Sequence, residues 1–221
     1  MENTSKLAVL GTVLLVVSGG LARADGNFYV TADGGGAFQD SMGIRSGSIN
    51  STAGDLHFNN GFRAGMEFGY RFNDYLSAEL ESGFLRNGID QIGIQRLSDV
   101  GGSADLEQVP LLVNGILTIP IKGPVKPYIG AGVGAVAGIF NSSSIPGSYS
   151  LGEKPQYDDT DFTFAYQAEV GIKWAVFRHV DIGLSYKFLG TTENAWHDNN
   201  ITMKTVGSKT HAVEAALTWK F

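Results

Sequence analysis

The chain has four histidines, His57, His179, His197 and His211, the side chains best suited to proton transfer near neutral pH. The nearest approach to a hydrolytic set is His197 beside Asp198, with Ser208 farther along. Nucleophilic catalysis needs a hydroxyl or thiol, a base within hydrogen-bond reach and an acid that orients the base. Nothing in the spacing assembles those three, and polar loop residues are the simpler reading. Glu153, Asp158, Asp159 and Asp161 offer oxygens of the kind Ca²⁺ takes. Their spacing matches no ligand loop, so a solvated acidic patch is expected. Gly130, Gly132 and Gly134 share the glycine richness of phosphate-cradling loops, but that chemistry needs a turn from strand to helix. The sequence has no cysteine, which excludes disulfides, thiolate metal sites and thiol nucleophiles. No cofactor, metal ligand or catalytic residue is assigned.

The titratable residues that do recur in a pattern alternate with apolar ones. In 161–174 the even positions are Phe162, Phe164, Tyr166, Ala168, Val170, Ile172 and Trp174, all apolar or aromatic. Between them stand Asp161, Thr163, Ala165, Gln167, Glu169, Gly171 and Lys173. A period of two places each set on its own face of a strand. A helix would instead put Tyr166, Glu169, Val170 and Lys173 together, half of them charged. The same alternation sets Phe28, Val30, Ala32 and Phe38 against Tyr29, Thr31, Asp33 and Gln39. It sets Phe58, Phe62, Ala64, Met66, Phe68, Tyr70 and Phe72 against Asn59, Arg63, Glu67 and Arg71. Leu76, Ala78, Leu80 and Phe84 oppose Ser77, Glu79, Glu81 and Gly83, and Val180, Ile182, Leu184, Tyr186 and Phe188 oppose Asp181, Gly183, Ser185 and Lys187. At the end of the chain Val213, Ala215, Leu217, Trp219 and Phe221 oppose Glu214, Thr218 and Lys220.

Two further strands are less regular. Residues 109–121 are apolar on both faces and contain Pro110, so their faces stay unassigned. Residues 128–140 alternate Ile129, Ala131, Val133, Ala135 and Ala137 with a column of glycines, read as inward, where they leave room for large neighbours. The total is eight strands, each near the 9–11 residues that cross a bilayer at a tilt. Connections alternate between long (40–56, 87–105, 141–160, 191–208) and short (73–75, 120–127, 177–179), the habit of membrane barrels with long outer loops and short periplasmic turns. The expected fold is therefore an all-β, eight-stranded antiparallel up-and-down transmembrane β-barrel over 25–221, with both mature termini on the periplasmic side.

Alternation alone does not say which face is inside. The polar faces carry Arg63, Glu67, Arg71, Glu79, Glu81, Glu169, Lys173, Asp181, Lys187 and Glu214, with Asp33 and Lys220. As an interior this set is nearly balanced and pairs within a narrow lumen, for example Arg63 or Arg71 with Glu79 or Glu81. Arg or Lys facing lipid at mid-depth costs about 2–4 kcal/mol. The other faces are large and aromatic, with Trp174, Phe177, Trp219 and Phe221 near strand ends, where interfacial girdles form. A soluble barrel with an apolar cavity is the weaker alternative.

Residues 1–24 read as a signal peptide: Lys6, then the apolar run 7–17, then Ala22-Arg23-Ala24 as a small-x-small cleavage pattern before Asp25. The apolar run is too short to span a membrane as a helix. The whole chain carries −6, with no basic block, which argues against nucleic acid as a partner.

The run Lys126-Pro127-Tyr128-Ile129-Gly130-Ala131-Gly132-Val133-Gly134, the opening Val109-Pro110-Leu111-Leu112, and the aromatic-terminated end Val213-x-Ala215-x-Leu217-x-Trp219-x-Phe221 resemble the family of small outer-membrane barrels that includes the OmpA transmembrane domain and OmpX. The resemblance implies insertion by the barrel-assembly machinery, which reads such an end. Unlike OmpA, the sequence has no peptidoglycan-binding domain after the barrel, so wall anchoring is not implied. Lipid-A hydrolases built on barrels carry a histidine and a serine two residues apart on one strand, a pair missing here.

The expected role is a structural or surface-exposed outer-membrane barrel that supports the envelope, with its outer loops available for adhesion. It is expected to be a non-enzymatic monomer in contact with outer-membrane lipids, including lipopolysaccharide. A narrow channel for ions or small solutes is the alternative, and a lipid-modifying enzyme the third reading.

Overall fold

Alternating stretches become strands because β-branched and aromatic residues fit a pleated surface with one face buried. The computed structural model describes residues 27–46, 52–94, 104–142, 160–192, 194–198, 201–205 and 207–221. The signal-peptide segment, with Ala24 and Asp25, lies outside the described residues. Among those described there are twelve strands and no helix: β1 Phe28–Gln39, β2 Met42–Ser46, β3 Thr52–Phe58, β4 Gly61–Arg71, β5 Leu76–Ile94, β6 Ala104–Thr118, β7 Val125–Ser142, β8 Thr160–Phe177, β9 Val180–Thr191, β10 Asn194–Asp198, β11 Ile201–Thr205 and β12 Lys209–Lys220.

Eight of these, β1, β4, β5, β6, β7, β8, β9 and β12, form a closed antiparallel barrel. Closure comes from β1 against β12, in register from Tyr29↔Lys220 to Gln39↔Thr210. It leaves no open edge in the wall, so backbone amides are paired all round, as hydrocarbon requires. Three short turns lie at the end that carries the termini. Asn73 Oδ1 accepts from the amides of Tyr75 and Leu76 at 2.9 and 2.8 Å, which holds the β4–β5 turn. Gly123, at φ 129°, makes the sharp bend between β6 and β7 that a side chain would strain. Arg178 and His179 close β8 onto β9.

At the opposite end the structure departs from the sequence expectation. The stretches 40–56 and 191–208, read as loops, contain the hairpins β2–β3 and β10–β11. β5 runs on for 19 residues, and its far end pairs with β3, Gly54↔Ile94 to Phe58↔Ile89. β2 then pairs β3, and β11 pairs β2. The physical reason is that a strand continuing past the wall leaves unpaired amides, and any neighbouring backbone can satisfy them. Strands of five to seven residues also carry too short an alternation to be told from a polar loop. Phe58 and Asn59, expected in the second barrel strand, precede β4.

The faces are unambiguous. Phe164, Leu184, Val133, Leu217 and Val113 all point outward and each exposes about half of its surface. An apolar band of that extent all round a wall is foreign to a soluble monomer. The inward set includes Thr31, Asp33, Arg63, Glu67, Glu79, Glu81, Gln167, Lys187 and Glu214, all buried. β6, whose faces the sequence left open, turns Gln108, Pro110, Leu112, Asn114 and Ile116 inward. The β7 glycines also face in: a Cβ on Gly130 would meet Glu169 Oε1 and Ile116 Cδ1 at 2.6 Å.

Candidate functional site in the barrel lumen

Lys187 stands on β9 at an inward position, and a narrow barrel brings its ammonium group to the opposite wall. Its Nζ lies 2.6 Å from Glu67 Oε1 on β4, 3.3 Å from Glu81 Oε1 on β5, 3.3 Å from Glu214 Oε2 on β12 and 3.7 Å from Asp33 Oδ2 on β1. Arg63 on β4 pairs with Glu81 and, through Nε, with Glu214 at 3.2 Å. Arg63 Nη2 also donates to Gln167 Oε1 at 3.0 Å. Glu81 is the most fully served carboxylate. Its Oε2 accepts from Asn114 Nδ2 and Gln167 Nε2, each at 2.6 Å. Charges this deeply buried persist only when paired and hydrogen-bonded, because their desolvation costs several kcal/mol per ion. Asp33 and Glu214 accept no hydrogen bond in the described structure, so their compensation is Coulombic, through Lys187 and Arg63. Among the described residues no group of three or more histidine and carboxylate side chains is placed to hold a metal ion. The centre that a cation would occupy is filled by the Lys187 ammonium.

Toward the termini the lumen becomes aromatic and cationic. Tyr29 Oη donates to Glu79 Oε1 at 2.6 Å. Lys173 Nζ lies 3.3 Å from the same oxygen and stacks over the rings of Tyr128 at 4.8 Å and Tyr29 at 5.2 Å. Among the described residues Arg71 forms no ion pair with a carboxylate: it lies over the Tyr29 ring at 5.9 Å. The expected choice of partners therefore resolves as Arg63 with Glu81, while Glu79 goes to Lys173 and Tyr29. Asp181 and Lys220 pair at 2.5 Å at the mouth. Glu169 is buried opposite Lys187 in register, and its Oε1 has no hydrogen-bond partner among the described residues.

Away from the termini, above the ionic centre, Leu112, Val136, Ala165 and Leu189 form an apolar cluster, with Leu85, Ala37 and Ala212 also fully buried. Beyond it comes a polar layer, where Asn87 Nδ2 donates to Gln39 Oε1 at 2.8 Å and the Ser208 amide to Thr191 Oγ1 at 2.9 Å. Ser208 is thus an inward-facing residue. The side chains of His57, His197 and Asp198, and the acidic run 153–161, lie outside the described set. His211 sits on the outer wall, where its Nδ1 is 2.6 Å from Tyr186 Oη. The C-terminal set faces outward, with Val213, Leu217 and Trp219 each about half exposed.

Sequence reasoning missed Tyr29, Tyr128, Asn114 and Gln167 as members of the lumen network. Their signal was present as inward parity, since each alternates with an outward apolar neighbour. It also missed the apolar cluster, because Leu112, Leu189 and Ala165 break the rule that inward means polar.

A family model described as "Outer membrane protein beta-barrel domain" matches residues 9–221. The outer membrane protein PagN of Salmonella typhimurium is 26% identical over 196 residues, which is 80% of this chain and 79% of PagN. An uncharacterized protein of Brucella abortus is 25% identical over 153 residues, 61% of this chain. The chain spans about half the length, 53%, of that Brucella relative. Among solved structures, OprG from Pseudomonas aeruginosa superimposes with a TM-score of 0.58 at 14% identity, covering 88% of this chain and 96% of OprG. Neisserial surface protein A gives 0.52 at 20% identity, covering 88% and 97%. At such identities the structural likeness concerns the fold alone.

Proposed function

Because the chain belongs to the outer membrane protein β-barrel family, we propose that it is a closed barrel of the bacterial outer membrane, a structural and surface-exposed component of the envelope. Its lumen is a packed core and its outer segments are its contact surface. The observation that carries this reading is the filling of the lumen in series: the Lys187 cluster at the centre and the Leu112–Val136–Ala165–Leu189 cluster above it. An eight-stranded barrel has an interior just wide enough for side chains, and here they occupy it. A path for ions would have to cross both layers.

In this reading residues 1–24 are removed on export, both mature termini face the periplasm, and the outward aromatic end Val213 to Phe221 is what the assembly machinery engages. Lipopolysaccharide contacts the outer part of the wall, and the segments beyond it are available for adhesion. The testing experiment is single-barrel recording in planar bilayers. No stable conductance step is expected. Reproducible steps from the purified chain would sink the reading in favour of a narrow channel.

A further inference from the structure

At the end that carries the termini, four cations stand on the lumen face of the wall: Arg71 on β4, Lys126 on β7, Lys173 on β8 and Lys220 on β12. Two of them are answered within the chain, Lys173 by Glu79 at 3.3 Å and Lys220 by Asp181 at 2.5 Å. Arg71 and Lys126 form no ion pair among the described residues. Lys126 stands directly opposite Lys173 in register, and like charges so placed repel. Arg71 and Lys173 share one ring, the guanidinium 5.9 Å and the ammonium 5.2 Å from the Tyr29 centroid. Lys173 also lies 4.8 Å from the centroid of Tyr128, which follows Lys126 on the same face of β7. Arg71, Lys173 and Lys126 thus form an arc around two tyrosines. The adjoining turns do not reverse the sign. Asp74, in the turn after Arg71, is exposed and forms no ion pair with it among the described residues, and Lys122 and Arg178 outnumber it. Glu169 lies one step deeper, in register with Lys187.

This mouth is a dead end, because the Lys187 and Leu112 clusters fill the lumen above it. Its two unanswered cations reach water: Lys126 is exposed and Arg71 half-buried. A guanidinium whose donors are not spent on a carboxylate fits a carboxylate or a phosphate through two parallel hydrogen bonds. The interior of an eight-stranded barrel admits a small solute and excludes a folded partner. We infer that the mouth is a binding site for a small soluble anion with two or more acidic groups. Arg71 and Lys126 hold separate acidic groups, and Lys173 lies between them. An anion with one acidic group would leave Arg71 or Lys126 unanswered. A bilayer lipid is excluded as the ligand by position, since these side chains face the lumen and not the outer wall.

The site needs only a closed lumen, whereas entry of the anion from the periplasm rests on the orientation proposed above. Isothermal titration of the barrel in neutral detergent micelles tests the site, with citrate and inorganic pyrophosphate as probes for the carboxylate and phosphate classes and acetate as the single-charge control. Saturable one-to-one binding of citrate or pyrophosphate is expected, at least about tenfold tighter than acetate. Arg71→Gln and Lys126→Gln should each weaken it by about tenfold, and Lys126→Arg should retain it. Near-ultraviolet circular dichroism checks that each variant is folded. No saturable binding by either probe, binding of acetate as tight as theirs, or binding that survives Arg71→Gln/Lys126→Gln in a folded barrel overturns the inference. The two readings fail separately: a barrel that binds the anion but gives conductance steps loses the sealed-lumen function and keeps the site, and a silent barrel that binds neither probe does the reverse.

Discussion

Lys187 Nζ on β9 and Glu67 Oε1 on β4 lie 2.6 Å apart across the lumen, although 120 residues separate them in sequence. The contact exists only when the barrel is closed and every intervening register is correct. Lys187→Met keeps the length of the side chain but leaves Asp33, Glu67, Glu81 and Glu214 with Arg63 alone. The expected loss is about 3–5 kcal/mol, as for other broken buried ion pairs. Urea unfolding in phospholipid vesicles measures it. Adding Glu67→Gln to Lys187→Met should recover part of that loss, because it removes one uncompensated carboxylate. A Lys187→Met barrel as stable as the parent would mean that the cluster carries no stabilisation.

The glycines of β7 make a sharper steric test. Gly130→Val puts branched carbon against Glu169 Oε1 and Ile116 Cδ1, where even a Cβ would stand at 2.6 Å. Overpacking of this kind costs about 1–3 kcal/mol. Gly115, on the neighbouring strand β6, faces outward, and a Cβ there would meet only Ala131 O at 3.9 Å. Gly115→Ala should change stability by no more than about 0.5 kcal/mol. Equal effects at the two sites, in the same vesicle assay, would contradict the inward placement of the β7 column.

Much of this architecture was legible beforehand because lipid and a polar lumen impose the same period of two on every strand. Phe164 against Gln167, or Leu184 against Lys187, is readable without any tertiary information. Which charges meet was not readable. Arg71 and Glu79 are nearer in sequence than Arg63 and Glu81, yet among the described residues only the second pair forms, because Tyr29 from β1 takes Glu79 and presents its ring to Arg71. That selection depends on the registers of three strands at once. The β2–β3 and β10–β11 hairpins were hidden for a different reason. Their strands are five to seven residues long, so an alternation such as Ile201 and Met203 against Thr202 and Lys204 is too brief to stand out from a polar loop.

Tyr29 should therefore matter beyond its size. Its hydroxyl donates to Glu79 and its ring lies beneath Lys173. Tyr29→Phe keeps the ring and removes the hydrogen bond, with an expected loss of about 1.5–3 kcal/mol for a bond to a charged acceptor. Tyr29→Ala removes both contacts and should cost more. If Tyr29→Phe proved neutral, Lys173 alone would be sufficient for Glu79, and the hydroxyl would have no energetic role in the lumen.

Depth dependence on the outer wall tests the orientation of both faces together. Leu184 points outward from the middle of β9, in register with Ala215 on β12 and Ile172 on β8, while Phe177 lies at the last residue of β8 beside the turn. Arginine facing hydrocarbon at mid-depth costs about 2–4 kcal/mol and falls to about 0–1 kcal/mol near the interface. Leu184→Arg should therefore destabilise the barrel in vesicles severely, and Phe177→Arg hardly at all. A barrel whose outer wall met water would accept both substitutions alike, since neither side chain is buried by protein. Comparable stability for the two variants would remove lipid from the outer face, and with it the physical reason for placing Lys187 and its carboxylates inside.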